Sequence, residues 1–295
     1  MPPTRLASSS AAEVREQLRS YRGHEGEGVY ERAEMIDGAD GQLFSVLLEP
    51  SDEPRRRTGL VLCPSFFELR MLQGAEFQFL RSAARAGFTA RYVQPVGMGD
   101  SDGAPADCTV SRRVDAAIVA ADQLRADGGD LETVAFVGAR LGAAVALIAA
   151  ERSAERPPVM LWDPAIQGDE YWKHSRRFAR VVGALGRTSV EDPDERLARG
   201  ENAVLIGYEV TPTLRADLSQ IDRSQAMQDV SSHGLLVALN EPSLRSMQSR
   251  LSSAVSQLDG ATLGLPSPRN LIRLRISDAI QAGELTVDWM RQQLS

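Results

Sequence analysis

Apolar runs and amphipathic stretches alternate along most of the chain and predict a regular succession of strands and helices. A continuous apolar run such as 59–65 is typical of a strand buried on both faces of a sheet. Apolar residues at helical spacing, as in 109–127, predict helices packed on that sheet. Strands are predicted at 41–50, 59–65, 88–96, 158–165, 233–241 and near 261–265; helices at 75–86, 109–127, 243–258 and 279–294; and a strand, a sharp turn and a buried helix within 133–151.

This alternation predicts an α/β fold with a doubly wound, mostly parallel sheet. Residues 1–28 are rich in Ser, Ala, Glu and Gly and are assigned to a lead-in. Residues 168–228 break the rhythm with an Arg-, Asp- and Glu-rich, mostly helical stretch, which we interpret as an insertion. The predicted core is therefore 29–167 together with 229–295.

Composition narrows the classes of function. The 295 residues are 43% hydrophobic and 25% charged, which is ordinary for a globular protein, and the net charge of -7 argues against a general nucleic-acid binder. Two cysteines provide neither a disulfide framework nor a Cys-rich zinc site. There is no membrane-length apolar run and no secretory signal pattern, so a cytoplasmic location is expected. No dinucleotide motif, P-loop or metal cluster is present, so no cofactor is predicted.

The turn at 138–142 carries the most specific signal. It joins a strand to a buried helix and has the spacing of the G-x-S-x-G nucleophile elbow, but the central residue is Arg140. A literal G-x-S-x-G at 99–103 leads into a polar loop and not into a buried helix, so we interpret it as a turn.

Segments 63–70, 97–103, 138–143, 161–172 and 207–218, in this order, resemble the α/β-hydrolase superfamily, and within it bacterial exosortase-system-associated hydrolase-like proteins. The resemblance covers about 40–295. It implies that 168–228 is a helical lid and that a Ser-His-Asp triad would be expected.

The chain departs from that triad at two members. Arg140 replaces the serine, and 262–280, where the catalytic histidine belongs, contains no histidine. His24, in the lead-in, and His233, which opens a strand, are interpreted as structural or solvated. Glu241 occupies the region of the triad acid, where it has no histidine to orient.

The remaining candidate site residues are charged side chains that would act through their charge. Arg140 would stand at the start of a helix, where a guanidinium and free N–H groups favour an anion. Glu68 and Asp163 follow neighbouring strands, and either would act as a general base or form an ion pair with Arg140. Both interpretations of Arg140, as a functional charge and as the partner of a buried carboxylate, stay open.

Resemblance to the superfamily also assigns an oxyanion hole, formed by the backbone N–H of Leu141 with that of Ser65 or Phe66. His174 and Tyr171, in the lid, are candidates for contact with a substrate, although packing explains lid aromatics equally well. Cys63, inside an apolar strand, is expected to be an inert thiol.

Three functions are consistent with these residues. The first is a lyase-like enzyme in which a carboxylate base works with a stabilised anion on an acylated or carbonyl-containing small molecule of bacterial biosynthesis. The second is an ester or thioester hydrolase, or an acyltransferase, that uses a displaced nucleophile (Ser65 or Cys63) or an activated water. The third is a non-catalytic protein that binds an acyl or carboxylate ligand or a partner protein. The oligomeric state is left open, with a homodimer as one alternative.

Overall fold

The structure, a computed structural model, describes residues 24–26, 28–127, 129–185, 191–223, 234–238, 259–262 and 276–294. A nine-stranded sheet forms the centre of the fold, and a separate two-stranded hairpin lies between the seventh and tenth strands along the chain. The strands of the sheet are β1 His24–Gly26, β2 Val29–Gly38, β3 Gly41–Pro50, β4 Thr58–Cys63, β5 Ala90–Val93, β6 Thr133–Ala139, β7 Val159–Trp162, β10 Gly234–Ala238 and β11 Asp259–Thr262; the hairpin is β8 Ala203–Leu205 and β9 Tyr208–Val210.

The spatial order of the sheet is β1-β2-β3-β5-β4-β6-β7-β10-β11. Pairing is antiparallel from β1 to β5 and parallel from β5 to β11. This confirms the predicted α/β fold with a mostly parallel sheet. The order places β4, β6 and β7 side by side, so the segments that leave their carboxyl ends meet at one edge.

Helices cover both faces of the sheet. They are α1 Leu69–Arg85, α2 Val110–Asp127, α3 Leu141–Arg152, α4 Gly168–Leu185, α5 Pro193–Ala198, α6 Pro212–Ser219 and α7 Ile276–Gln293. Apolar residues of α2 and α3 form the core on one face, and those of α1 and α7 form the core on the other. Across the described segments, no helix combines the length and apolarity that crossing a membrane requires.

Several elements differ from the sequence prediction. β2 was not predicted; it pairs with β3 over its whole length, but most of its side chains are only partly buried, so its apolar signal is weak. α1 begins six residues before the predicted start at 75. The stretch 168–228, predicted to be mostly helical, contains the β8–β9 hairpin besides helices. The helix predicted at 243–258 lies outside the described residues.

Close packing of the 138–142 turn requires glycine. A Cβ on Gly142 would lie 2.2 Å from the carbonyl oxygen of Cys63, so α3 rests directly on the backbone that leaves β4. We expect Gly142→Ala to destabilise the protein by about 3 kcal/mol or to prevent folding, because the clash is with backbone. Gly74, an exposed glycine of α1, is the control, since a Cβ added there would meet nothing within 4 Å; Gly74→Ala should stabilise the protein by up to ~1 kcal/mol. Chemical unfolding measures both, and equal stability of the two variants would contradict this account.

Candidate active site

The segment between β6 and α3 has the backbone of a strained elbow. Arg140 has φ of 55° and ψ of -117°, a conformation that L-residues rarely adopt. Its N–H donates to the carbonyl of Trp162 at 3.0 Å, and its carbonyl accepts from the N–H of Ala165, also at 3.0 Å. These bonds fix the elbow against the end of β7, so the Arg140 side chain leaves the backbone at a defined place.

The guanidinium of Arg140 lies between two carboxylates. Its Nη1 donates to Asp163 Oδ2 at 2.8 Å and to the Asp163 carbonyl at 3.1 Å, and its Nε donates to Glu68 Oε1 at 3.3 Å. The three side chains are only 10–16% exposed. Although burial works in the opposite direction, the charges of Asp163 and Glu68 raise the pKa of Arg140 above its usual range. Within the described chain, the positive charge at the elbow is therefore already paired.

Asp163 also adopts an unusual backbone conformation, with φ of 45°. Its N–H donates to the carbonyl of Val237 in β10 at 2.8 Å. Two neighbouring non-glycine residues, Arg140 and Asp163, thus meet in left-handed conformations where β6 and β7 end. Such strain persists only where the surroundings hold it, and it is concentrated at functional sites.

Glu68 directs its carboxylate into the site and not toward its own helix. It is the N-cap residue of α1, yet its side chain caps no N–H of that helix. Instead Glu68 Oε2 accepts from the hydroxyl of Tyr171 at 2.8 Å. Tyr171, at the start of α4, is 2% exposed and stacks on Phe67. Burial, followed by the charge of Glu68, raises the pKa of the Tyr171 hydroxyl well above its usual range, so it stays a donor.

Some backbone N–H groups near Arg140 donate hydrogen bonds within the protein, and others have no acceptor among the described residues. Ser65 N–H donates to Glu76 Oε1 at 3.1 Å, and Phe67 N–H donates to the Tyr171 hydroxyl at 3.3 Å. The N–H groups of Phe66 and of Leu141, the first residue of α3, have no acceptor among the described residues. Of the two alternatives for the loop donor, Ser65 is thus occupied and Phe66 remains.

His174 lies one turn after Tyr171 on α4, and its side chain is exposed. Partial desolvation and then the charge of Arg140 lower the pKa of its imidazole. The histidine is therefore uncharged at neutral pH and lies within the field of Arg140.

The alternative nucleophiles are poorly placed. Cys63 is 1% exposed, and burial raises the pKa of its thiol far above the usual range. Ser65 is fully buried, with no hydrogen bond from its hydroxyl oxygen among the described residues. Ser101, in the rejected G-x-S-x-G segment, donates to the carbonyl of Gln94 at 2.7 Å and accepts from the N–H of Phe44, as a structural turn residue does.

The other two histidines, His24 and His233, are not brought to the site by the described residues. His24 lies in β1, the strand at one edge of the sheet, whereas the site is formed where β4, β6 and β7 end. His233, and with it the acid candidate Glu241, lies outside the described residues.

Sequence analysis missed two charged residues beneath the site, Glu76 of α1 and Arg113 of α2. They are 1% and 3% exposed. A signal was present, because each interrupts an apolar helix face: Glu76 follows Leu72 and precedes Phe79 at helical spacing. Charged residues are uncommon at positions that the periodicity assigns to the core, so this pattern could have identified Glu76 and Arg113 as candidate site residues.

In the described part of the chain, no group of His, Cys, Asp and Glu side chains is arranged to hold a metal ion. No family model matches the sequence, and no curated protein matches it. Similarity to known proteins is found by comparing structures.

Several solved structures are similar over nearly the whole chain. A hypothetical protein of Pseudomonas aeruginosa has a TM-score of 0.61 at 14% identity, covering 91% of this chain and 95% of its own. An esterase of Pyrococcus furiosus has a TM-score of 0.60 at 11% identity, covering 100% and 98%. A Xanthomonas campestris protein, described as an α/β serine hydrolase without a lid, has a TM-score of 0.54 at 15% identity, covering 90% and 95%. Together with the sheet order and the elbow between β6 and α3, these similarities show that the chain has the α/β-hydrolase fold.

Proposed function

We propose that this chain is an enzyme of the hydrolase type of fold that acts on the carbonyl group of an acylated small molecule without forming an acyl-enzyme. The observation that carries the proposal is the position of Arg140, which occupies the elbow in place of a nucleophile and lies between Glu68 and Asp163. Hydrolases and esterases among the similar structures support carbonyl chemistry only at the level of the fold.

Formal charges favour an uncharged carbonyl ligand over a carboxylate. Arg140 contributes one positive charge and Glu68 and Asp163 contribute two negative ones, while His174 is neutral at pH 7. A third carboxylate, supplied by the ligand, would meet an excess of negative charge. The function of the guanidinium is then to hold the two carboxylates at fixed positions.

The proposed reaction uses a carboxylate as base and the free N–H groups as donors. Glu68 takes a proton from the carbon next to the substrate carbonyl, and the C–H electron pair moves to form an enolate. The N–H groups of Phe66 and Leu141 stabilise the negative oxygen of that enolate. Loss of a group at the β-carbon, which departs with its bonding pair, gives an unsaturated carbonyl product, and return of the proton at a different position gives an isomer.

Glu68 is favoured over Asp163 as the base because of its contacts. Asp163 holds Arg140 through both its side chain and its carbonyl, at 2.8 and 3.1 Å. Glu68 meets Arg140 at the longer distance of 3.3 Å and is oriented mainly by the Tyr171 hydroxyl at 2.8 Å. Asp163 is therefore assigned to positioning and Glu68 to proton transfer.

Deuterium exchange tests the enolate directly. Short acyl thioesters and β-hydroxyacyl thioesters in D₂O should exchange their α-hydrogens with the wild-type protein, and Glu68→Gln should slow this by about 10²-fold or more, the usual contribution of a general base. Nuclear magnetic resonance measures the exchange, and ultraviolet absorbance detects an unsaturated product. Glu170→Gln, which neutralises an exposed carboxylate on the lid helix α4, is the control.

A fluorophosphonate probe separates this proposal from serine chemistry. No serine should be labelled, because Ser65 is buried and the elbow carries Arg140. Labelling of one specific serine, together with hydrolysis of 4-nitrophenyl butyrate, would favour the hydrolase or acyltransferase alternative.

A second candidate function is ligand binding without turnover, favoured by the fact that Arg140 is paired within the protein itself. It predicts a thermal shift with an acyl thioester, and neither deuterium exchange nor product formation. If both the wild type and Glu68→Gln bind the thioester, and neither raises its deuterium exchange above the uncatalysed rate, this candidate is favoured over the enzyme.

A further inference from the structure

A buried polar layer lies directly beneath the loop that connects β4 to α1. Glu76, on α1, is 1% exposed, and its Oε1 accepts the N–H of Ser65 at 3.1 Å. Ser65 immediately precedes Phe66, whose N–H is free among the described residues. A buried carboxylate is costly unless it is used, so this contact calls for an explanation beyond packing.

Arg113 holds the same loop from α2. Its Nη1 donates to the carbonyl of Pro64 at 3.4 Å, and its guanidinium lies 4.2 Å from the centre of the Phe66 ring. The residue is 3% exposed. Glu76 and Arg113 thus hold the backbone and the ring of this loop from two helices.

The other side of the loop is held by Tyr171, which accepts the N–H of Phe67. The residue before Phe66 and the residue after it are therefore both anchored through their N–H groups. The Phe66 N–H is left between two fixed points. An arrangement of this kind reduces the freedom of one peptide group without using that group's own donor.

We propose that Glu76 is a positioning residue for the Phe66 N–H, acting through Ser65, and that its charge determines how firmly the loop is held. The inference rests on the proposed function only in so far as the Phe66 N–H serves an oxyanion. An ionised carboxylate forms a charge-assisted hydrogen bond with the Ser65 N–H, whereas a protonated one accepts more weakly.

Charged and titratable groups face Glu76 from every neighbouring element. They are Glu68 at the start of α1, Arg113 on α2, Tyr92 on β5 and Cys63 on β4. Burial, offset in part by the hydrogen bond from the Ser65 N–H, raises the pKa of Glu76 to about 7. The charge of this residue then changes near neutral pH, where the loop is expected to loosen on acidification.

The first readout is the amide of Ser65, observed by nuclear magnetic resonance from pH 5.5 to 8.5. In the wild type the chemical shift of its proton should titrate with a midpoint near pH 7. The amides of residues 65–67 should also be better protected at the alkaline end, which means that their hydrogen exchange rises less with pH than the intrinsic base-catalysed rate does. In Glu76→Gln the titration should be absent. Gln78→Glu, on an exposed position of the same helix, should leave the wild-type titration in place. A Ser65 amide that does not titrate, or titrates equally in Glu76→Gln, would overturn the proposal.

Catalysis gives the second readout. Glu76→Ala should lower kcat for the thioester exchange by about tenfold with a smaller change in KM, and Glu76→Gln should recover most of the rate but lose the inflection near pH 7. An inflection that persists in Glu76→Gln would overturn the positioning role. If no substrate is turned over while the Ser65 amide still titrates through Glu76, the proposed function fails and the positioning of the loop stands.

Discussion

Replacing Arg140 with alanine should destabilise the protein by about 3 kcal/mol, because it removes the cation between two largely buried carboxylates. Glu68 and Asp163 would then face each other with no counter-charge, and a guanidinium that bonds both would be lost. Urea unfolding followed by circular dichroism at pH 7.5 measures this loss of stability.

Two control variants separate charge from other causes. Arg112→Ala removes an arginine that pairs with Asp40 and Asp107 at the surface, and it should cost about 1 kcal/mol or less. Arg140→Gly removes the same charge as the alanine variant but relieves the left-handed backbone, so it should be more stable than Arg140→Ala by roughly 1 kcal/mol. Equal stability of the Arg140→Ala and Arg112→Ala variants would contradict the role assigned to Arg140.

A serine placed at the elbow, as in related hydrolases, should not by itself produce esterase activity. Arg140→Ser places a hydroxyl on the elbow, but none of the three histidines lies in 262–280, where the fold places its base. We therefore expect no gain in esterase activity from this variant. A gain would show that another base, with His174 as the first candidate, serves the elbow.

The sequence predicts the elbow and its neighbours because topology, and not side-chain detail, brings them together. Arg140, Glu68 and Asp163 each follow the end of one of three strands, and β4, β6 and β7 are adjacent in the sheet. Once the alternation of strands and helices is recognised, these three residues are expected at one edge. What the pattern leaves open is the pairing, since ion-pair geometry depends on rotamers that the sequence does not specify.

Elements with weak apolar contrast are where prediction fails. β2 has the polar residues of an outer strand, and β8 and β9 are three residues each, too short to show alternation. Glu76 and Arg113 were missed for a different reason. Apolar periodicity assigns both positions to the core, and the only sign of a special role is that each residue is charged. The role of these charges can be recognised only once the position of the loop between β4 and α1 is known.

Glu76 should make the protein less stable as the pH rises. In the unfolded chain this carboxyl titrates near 4.5, and in the fold burial raises its pKa to about 7. Between these values the folded state binds more protons than the unfolded state, so the free energy of unfolding falls with increasing pH. The contribution of Glu76 is fully favourable below pH 4.5 and is lost as the pH passes 7.

Comparison with Glu76→Gln isolates this effect from the other titrating groups. At pH 4.5 the protonated glutamic acid and the glutamine are both neutral, so the two proteins should have similar stability. By pH 8.5 the glutamine variant should be more stable than the wild type by up to about 3 kcal/mol, at 1.36 kcal/mol for each pKa unit of difference. Urea unfolding at half-unit pH steps measures the difference, and parallel pH curves for the two proteins would show that the pKa of Glu76 is the same in the folded and the unfolded state. A widening gap would place one ionisable group beneath the loop as the source of the pH dependence, because the substitution changes nothing else in charge.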